Sequence, residues 1–209
     1  SIQFEILKRN TMKKLPVMLE KPLTLNLREA YEIESLYKKH NIVSLIDHIY
    51  LFHPVYTRLK DNLHEIGRIE KIYTEGGSSG PFRKHTPPLW DYGPHDLSMC
   101  LDITNEFPEK ISSTLIHSEK NNNTLQEIWK IILKFPSGIL STSIIGNGMK
   151  NKTRRLEVIG EKGKLIFDNF DSHKLTLIKN SELVNISADR KEELPLDNAI
   201  EIFSDAING

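Results

Sequence analysis

The chain has 209 residues, with 28 lysines and arginines against 28 aspartates and glutamates, so a formal net charge of zero gives no electrostatic case for a nucleic-acid partner. One cysteine, Cys100, excludes an internal disulfide, and no apolar run approaches the roughly 20 residues that span a bilayer, so no membrane partner is expected and a cytoplasmic setting is the default. Of the 11 glycines the first is Gly67, and no glycine-rich phosphate loop can exist in the first third of the chain. A start at Ser1 without signal-peptide features leads to the expectation of a fragment or a processed start.

Pro16 to Leu19 is a short apolar run closed by Glu20-Lys21-Pro22, the pattern of a buried strand that delivers Glu20 and Lys21 to its C-terminal tip. Asn26 followed by Glu29 fits a helix N-cap with a capping-box acid, and Leu27, Ala30, Ile33 and Tyr37 then recur at helical spacing. That helix should end near His40, with Asn41 in the left-handed position. Ile42 to Ile46 is a β-branched run, so strand, helix and strand predict a parallel βαβ unit. Pro54 to Leu63 reads as a helix that Gly67 closes. A strand over Arg68 to Thr74 leads into Gly76-Gly77-Ser78-Ser79-Gly80-Pro81, by composition a flexible surface loop. Leu89 to Ile103 is expected to become helical after Pro94.

From Lys110 onward the period changes to two. Trp129, Ile131, Leu133 and Phe135 fall on one side of a strand. Pro136-Ser137-Gly138 turns into a second strand through Ile145, and Gly146-Asn147-Gly148 reads as a hairpin or bulge turn, because no helix follows as a dinucleotide fingerprint requires. Arg155 to Ile159, Lys164 to Asp168, Lys174 to Ile178 and Leu183 to Ser187 are spaced like a meander of antiparallel strands. The tail after Pro195 returns to helix, with Leu196, Ile200, Phe203 and Ile207 on one stripe. One sheet face rich in Ile and Leu is left for a subunit interface.

Two segments carry candidate chemistry. A lysine at a strand tip faces the ligand crevice of an α/β sheet and can polarise a substrate hydroxyl; a solvated loop lysine is the plainer use of Lys21. Asp91 and His95 have the D-x-x-x-H spacing that puts both on one helix face, and a carboxylate-oriented imidazole is a general base near neutral pH. The plainer use is an Asp91 N-cap and a half-buried helical His95. Asp47, His48, His53, His85, Asp91, His95 and Asp96 could ligate zinc or manganese, but they lack an H-E-x-x-H arrangement, so no metal is expected and a metal-dependent hydrolase is the lesser alternative.

In order along the chain, Leu15 to Leu23 with its Glu20-Lys21-Pro22, Asp47 to Val55, Ile66-Gly67-Arg68-Ile69, Leu89 to Leu97, Ile159 to Leu165 and Glu193 to Ile207 resemble the glucose-fructose oxidoreductase, inositol dehydrogenase and MocA family of nicotinamide-dependent sugar dehydrogenases. The resemblance implies an α/β chain: the C-terminal remnant of a Rossmann domain over residues 1–50, an α+β substrate and oligomerisation domain with a large, mostly antiparallel open sheet over 51–190, and a closing helix over 191–209. It implies that Glu20, Lys21 and Pro22 meet an NAD or NADP cofactor, with Lys21 beside the reacting carbon. His95 is then the base for the hydroxyl proton and Asp91 its acidic companion.

The wording of Asp47-His48 and Trp90-Asp91 is closest to members acting on nucleotide-linked sugars, which implies a sugar or sugar-nucleotide substrate. Arg83, His85 and Trp90 are its candidate contacts, a solvated basic loop being the plainer account of Arg83, Lys84 and His85. The family's glycine-rich turn and ribose-reading residue are not in these residues, so the expectation is a fragment with impaired cofactor binding that oligomerises through its open sheet. The alternative is a non-catalytic oligomerisation or sugar-binding module.

Overall fold

Local sequence rules account for the first elements of the chain. In the computed structural model, which describes residues 2–80, 82–83, 86–121, 124–186 and 194–209, α1 (Ile2–Lys13) precedes β1 (Val17–Glu20), α2 (Leu27–His40) and β2 (Ser44–Asp47). The two strands pair in parallel, with Glu20 opposite Asp47 at their matched C-terminal ends. Helix α2 begins where expected: the Asn26 side chain accepts from the Arg28 and Glu29 amides at 2.9 and 3.4 Å. Glu29 closes the cap through Thr24, whose hydroxyl donates to the carboxylate at 2.6 Å and accepts from the Asn26 amide at 3.1 Å. Asn41 ends the helix at φ 51°, ψ 46°, the left-handed position that asparagine tolerates. Helix α1, an element beyond those expected, joins α2 and Ile42 in a small core of Phe4, Leu7, Ile33 and Tyr37.

A 3₁₀ turn at Ile49–Phe52 leads into α3 (Pro54–Asp61), and a second at Leu63–Ile66 into β3 (Ile69–Ser79). Next come α4 (Pro88–Thr104), β4 (Lys110–Asn121), β5 (Thr124–Lys134), β6 (Leu140–Gly146) and β7 (Gly148–Gly160). The chain continues through β8 (Gly163–Asp168), β9 (Leu175–Lys179), β10 (Glu182–Asn185) and α5 (Pro195–Asn208). The large sheet has eight strands in the order β10-β9-β8-β7-β3-β6-β5-β4, and only β3 and β6 pair in parallel. This is the mixed α/β architecture with a large, mostly antiparallel sheet that the sequence led us to expect. Helices α3 and α4 cover one face, burying Tyr56, Leu59 and Met99 against Leu156, Phe167 and Ile145.

Several local expectations are corrected. Gly76 to Ser79 is not a surface loop but the end of β3, paired with β6 on one side and β7 on the other. Glycine is required at position 76 by close approach: a Cβ there would lie 2.4 Å from Arg154 Nη1 and 2.6 Å from Asp96 Oδ2. Helix α4 starts at Pro88 and carries Pro94 inside it. Gly93 has no Cβ to clash with the following proline ring, which removes the usual bar to helix before proline. Gly146-Asn147-Gly148 is not a hairpin either, because β3 lies between β6 and β7 and the segment passes the end of that strand. There the Asn147 side chain accepts from the Glu127 amide at 2.8 Å and donates to the Leu125 carbonyl at 2.9 Å. β7 also begins earlier than the expected Arg155.

On α5 the buried residue is Ala199, while Leu196, Ile200 and Ile207 of the expected stripe are exposed; the helix is tied to the first 3₁₀ turn by Asn198 donating to the Phe52 carbonyl at 3.0 Å. The sheet face away from α3 and α4 carries no helix among the described residues. It is less uniformly apolar than expected: Arg155 bridges Glu157 and Asp168 at 2.7 and 3.2 Å, among half-buried Tyr73, Ile132, Ile144 and Ile159. Exposed apolar side chains gather instead on the edge strand β4, at Ile111, Leu115 and Ile116. Of the expected loop and strands, Pro81 and Ser187 lie outside the described residues.

The N-cap is separable from the rest of the fold. Asn26→Ala should lower the unfolding free energy by about 1 kcal/mol, and Asn26→Asp should retain most of it, as read from urea midpoints.

Candidate functional site

The parallel pairing of β1 and β2 sets their C-terminal tips side by side, and α4 passes across them. Lys21, the residue after β1, donates from Nζ to the Asp91 carbonyl at 2.6 Å and to Asp91 Oδ1 at 2.9 Å. Both side chains are only 12% exposed, which makes this a largely desolvated pair rather than a solvated loop lysine. Arg83 takes the other carboxylate oxygen, donating from Nε to Asp91 Oδ2 at 2.8 Å. A lysine ammonium has three donors, so Lys21 keeps one after its two bonds to Asp91. Glu20, Lys21, Asp91, Tyr92, His95 and Arg154 line a cleft of about 440 Å³. Tyr92 fixes its wall by donating to the Gly80 carbonyl at 2.7 Å, 2.8 Å from the Ser78 hydroxyl.

His95 lies one helical turn after Asp91, but the Asp91 carboxylate is engaged with Lys21 and Arg83. The expected carboxylate–imidazole couple is thus replaced by a carboxylate held between two cations. The His95 ring packs edge-on against Tyr50, with centroids 5.1 Å apart at 88°, and its buried Nδ1 has no hydrogen-bond partner among the described residues. Burial, reinforced by the charges of Arg154 and Lys21 and by His48, pushes its pKa down to about 2, so the imidazole is neutral at physiological pH. His48 is lowered by burial and by Lys21, against the opposing pull of the Pro94 carbonyl. Asp47 is raised by burial and then by Glu20, its neighbour across the strand pair. A larger open cleft of about 730 Å³ on the uncovered sheet face does not gather these groups.

Arg154 was not singled out from the sequence, although an arginine sharing the inner face of β7 with Leu156 and Val158 was the available signal. It is buried, with Nη1 donating to Asp96 Oδ2 at 2.5 Å and its guanidinium 4.5 Å from the Tyr50 ring centroid. Burial opposes its charge, and Asp96 and Tyr50 outweigh that, so its pKa is raised. Of the other expected residues, Pro22 follows Lys21 through a cis peptide bond and does not line the cleft, nor does Trp90, which is 41% exposed. His85, and Lys84 beside it, lie outside the described residues. Among the described residues no three His, Cys, Asp or Glu side chains gather as a metal site. No described helix is long and apolar enough to cross a membrane.

A sequence profile of the GFO/IDH/MocA C-terminal domain matches residues 64–166. No curated protein sequence matches the chain. Among solved structures, a protein provisionally named an oxidoreductase, from Magnetospirillum magnetotacticum MS-1, superposes with a TM-score of 0.89 at 31% identity, covering 99% of this chain and 69% of that one. UDP-N-acetylglucosamine 3-dehydrogenase from Acidithiobacillus ferrooxidans gives a TM-score of 0.84 at 18% identity, over 100% of this chain and 67% of its own. Biliverdin reductase from Synechocystis, solved with biliverdin and NADP+, gives 0.81 at 18% identity, over 100% of this chain and 68% of its own. The last two likenesses speak to the fold, whereas the first extends sequence identity along nearly the whole chain. Together with the profile match, it places this chain in the GFO/IDH/MocA family of oxidoreductases.

Proposed function

We propose that the chain takes part in hydride transfer between a hydroxyl-bearing carbon of a sugar or sugar nucleotide and a nicotinamide cofactor, NAD or NADP. The observation that carries this reading is the meeting of Lys21, braced by Asp91, with an unprotonated His95 in one cleft at the tip of β1. Asp47, whose Oδ1 is buried without a hydrogen-bond partner among the described residues, also lines the cleft with Glu20 and Lys21. This lining fits a nicotinamide and its reacting partner, and Glu20 and Lys21 would hold that end of the cofactor, with Pro22 setting the chain direction behind them. When bound, nicotinamide supplies the hydride acceptor or donor.

The protein's part is proton and charge management. In the direction of alcohol oxidation, His95 accepts the hydroxyl proton as the hydride leaves the carbon, and the remaining Lys21 donor steadies the negative charge growing on oxygen. Asp91 acts as the positioning residue for that lysine, and Arg83 at the cleft mouth offers a contact for an anionic group on the substrate. In this reading residues 1–50 belong to a nucleotide-binding unit, 51–190 to the substrate and oligomerisation unit, and 191–209 close the structure. Among the solved relatives, the biliverdin reductase bound to NADP+ lends support to nicotinamide chemistry, and the UDP-N-acetylglucosamine 3-dehydrogenase to the sugar-nucleotide substrate class.

In the full gene product, turnover of sugar nucleotides followed by nicotinamide absorbance should fall about 10²–10⁴-fold in His95→Ala and in Lys21→Ala; normal turnover in both would overturn the reading. The histidine also predicts a pH dependence. Unfolded, it protonates below its ordinary 6.5, whereas in the fold it resists protonation down to about 2. Between these values the unfolded state holds the extra proton, so stability falls as pH is lowered, by about 1.4 kcal/mol per unit from this group. Urea unfolding of His95→Gln over a pH series should show a correspondingly shallower acid slope. For the sheet face away from α3 and α4, sedimentation equilibrium should find an oligomer that charge insertion at Ile132 and Ile144 dissociates.

A further inference from the structure

Behind His95 lies a layer that the proposed chemistry does not itself use. Arg154 crosses the inner face of the sheet to Asp96, the residue next to His95, at 2.5 Å, with the two side chains 5% and 0% exposed. Its guanidinium lies 4.5 Å from the centroid of the Tyr50 ring, and that ring meets the His95 imidazole edge-on at 5.1 Å. The backbone makes room for this: a Cβ on Gly76 would fall 2.7 Å from Arg154 Cζ. Arg154 Nε and Asp96 Oδ1 remain buried without a hydrogen-bond partner among the described residues. A buried ion pair is poor value as stabilisation, since apolar packing of equal volume serves as well. Here the pair is set beside the cleft, where Arg154 and His95 are both lining residues.

Resting on the reading of His95 as the base, we propose that Arg154 is a positioning residue for it: braced by Asp96, it clamps Tyr50 against the imidazole and fixes a positive charge beside the ring. Two consequences follow from the geometry. The imidazole is confined by an aromatic wall that cannot swing, and its protonation is opposed by a charge that cannot move away. Arg154 acts from β7, Lys21 from the tip of β1 and His48 from beyond β2, all lowering the His95 pKa after burial itself. Tyr50, Asp91 and Asp96 are further ionisable groups near it, with Asp91 paired to Lys21 and Arg83 and Asp96 to Arg154, and Glu20, Asp47 and Lys152 line the same cleft.

The test compares Arg154→Gln, Arg154→Lys and the double variant Asp96→Asn/Arg154→Gln, the last removing both buried charges so that a folded protein is obtained. His95 is followed by imidazole NMR over a pH series in the 209-residue chain, which requires no turnover. In the folded protein the onset of ring protonation should lie at least about one pH unit higher in Arg154→Gln and in the double variant than in the wild type, and near the wild-type onset in Arg154→Lys. In the full gene product, kcat should fall at least about tenfold in Arg154→Gln with KM changed less, and the acid limb of its pH profile should move upward; Arg154→Lys should recover part of kcat. An unchanged His95 titration in folded double variant would overturn the proposal. Absence of sugar-nucleotide turnover in the wild type would instead overturn the reading of the function while leaving the NMR result intact.

Discussion

Arg154 and Asp96 form an ion pair at 2.5 Å, closed off from solvent, and an unpaired charge at either position would cost several kcal/mol. Much of the cleft's architecture answers to this pair. It ties β7 to α4 across β3, and β3 can run between them only because position 76 has no side chain. It also sets the depth of α4 over the sheet, and α4 carries Asp91, Tyr92 and His95. The same guanidinium supports Tyr50, the first wall of the imidazole. Helix position, glycine placement and ring orientation are therefore parts of one solution to a desolvation problem.

The cleft is electrostatically divided. Asp91 lies between Lys21 and Arg83, so its carboxylate holds the lysine in place and is directed at these two cations rather than at His95. His95 is left with Arg154 and Lys21 nearby and, among the described residues, no partner for Nδ1. A neutral ring next to a braced ammonium is a pairing suited to moving a proton and stabilising an oxyanion. The opposite sheet face has no such convergence, despite its larger cleft. Relatives with this fold are named for substrates as different as a sugar nucleotide and biliverdin. One fold thus carries different substrates, and the sheet by itself does not name one.

Where interactions are local in sequence, the residues were readable. The Asn26 cap, the Asn41 terminus, the strand carrying Glu20 to its tip and the period-two alternation around Ile131 and Leu133 all appear as expected. Each depends on contacts within a few positions or on one buried face. The errors came where distant strands supply the context. Gly76-Gly77-Ser78-Ser79 has the composition of a loop, and only pairing on both sides with β6 and β7 makes it strand. Gly146-Asn147-Gly148 has the composition of a hairpin, and only the insertion of β3 between its strands makes it a crossing.

The sequence by itself determined the βαβ start, the strand tip bearing Lys21, the helix bearing Asp91 and His95, and the absence of any glycine before Gly67. Only the tertiary structure decided what those side chains touch. Asp91 and His95 have the right spacing to meet, yet Lys21, 70 positions away in the chain, takes the carboxylate instead. Arg154 reaches Asp96 over 58 positions, and neither residue announces the other in sequence. The physical reason is that pairing of buried charges is set by which groups are desolvated together. That depends on how the strand tips, α4 and β7 pack, and not on the local pattern of any one of them.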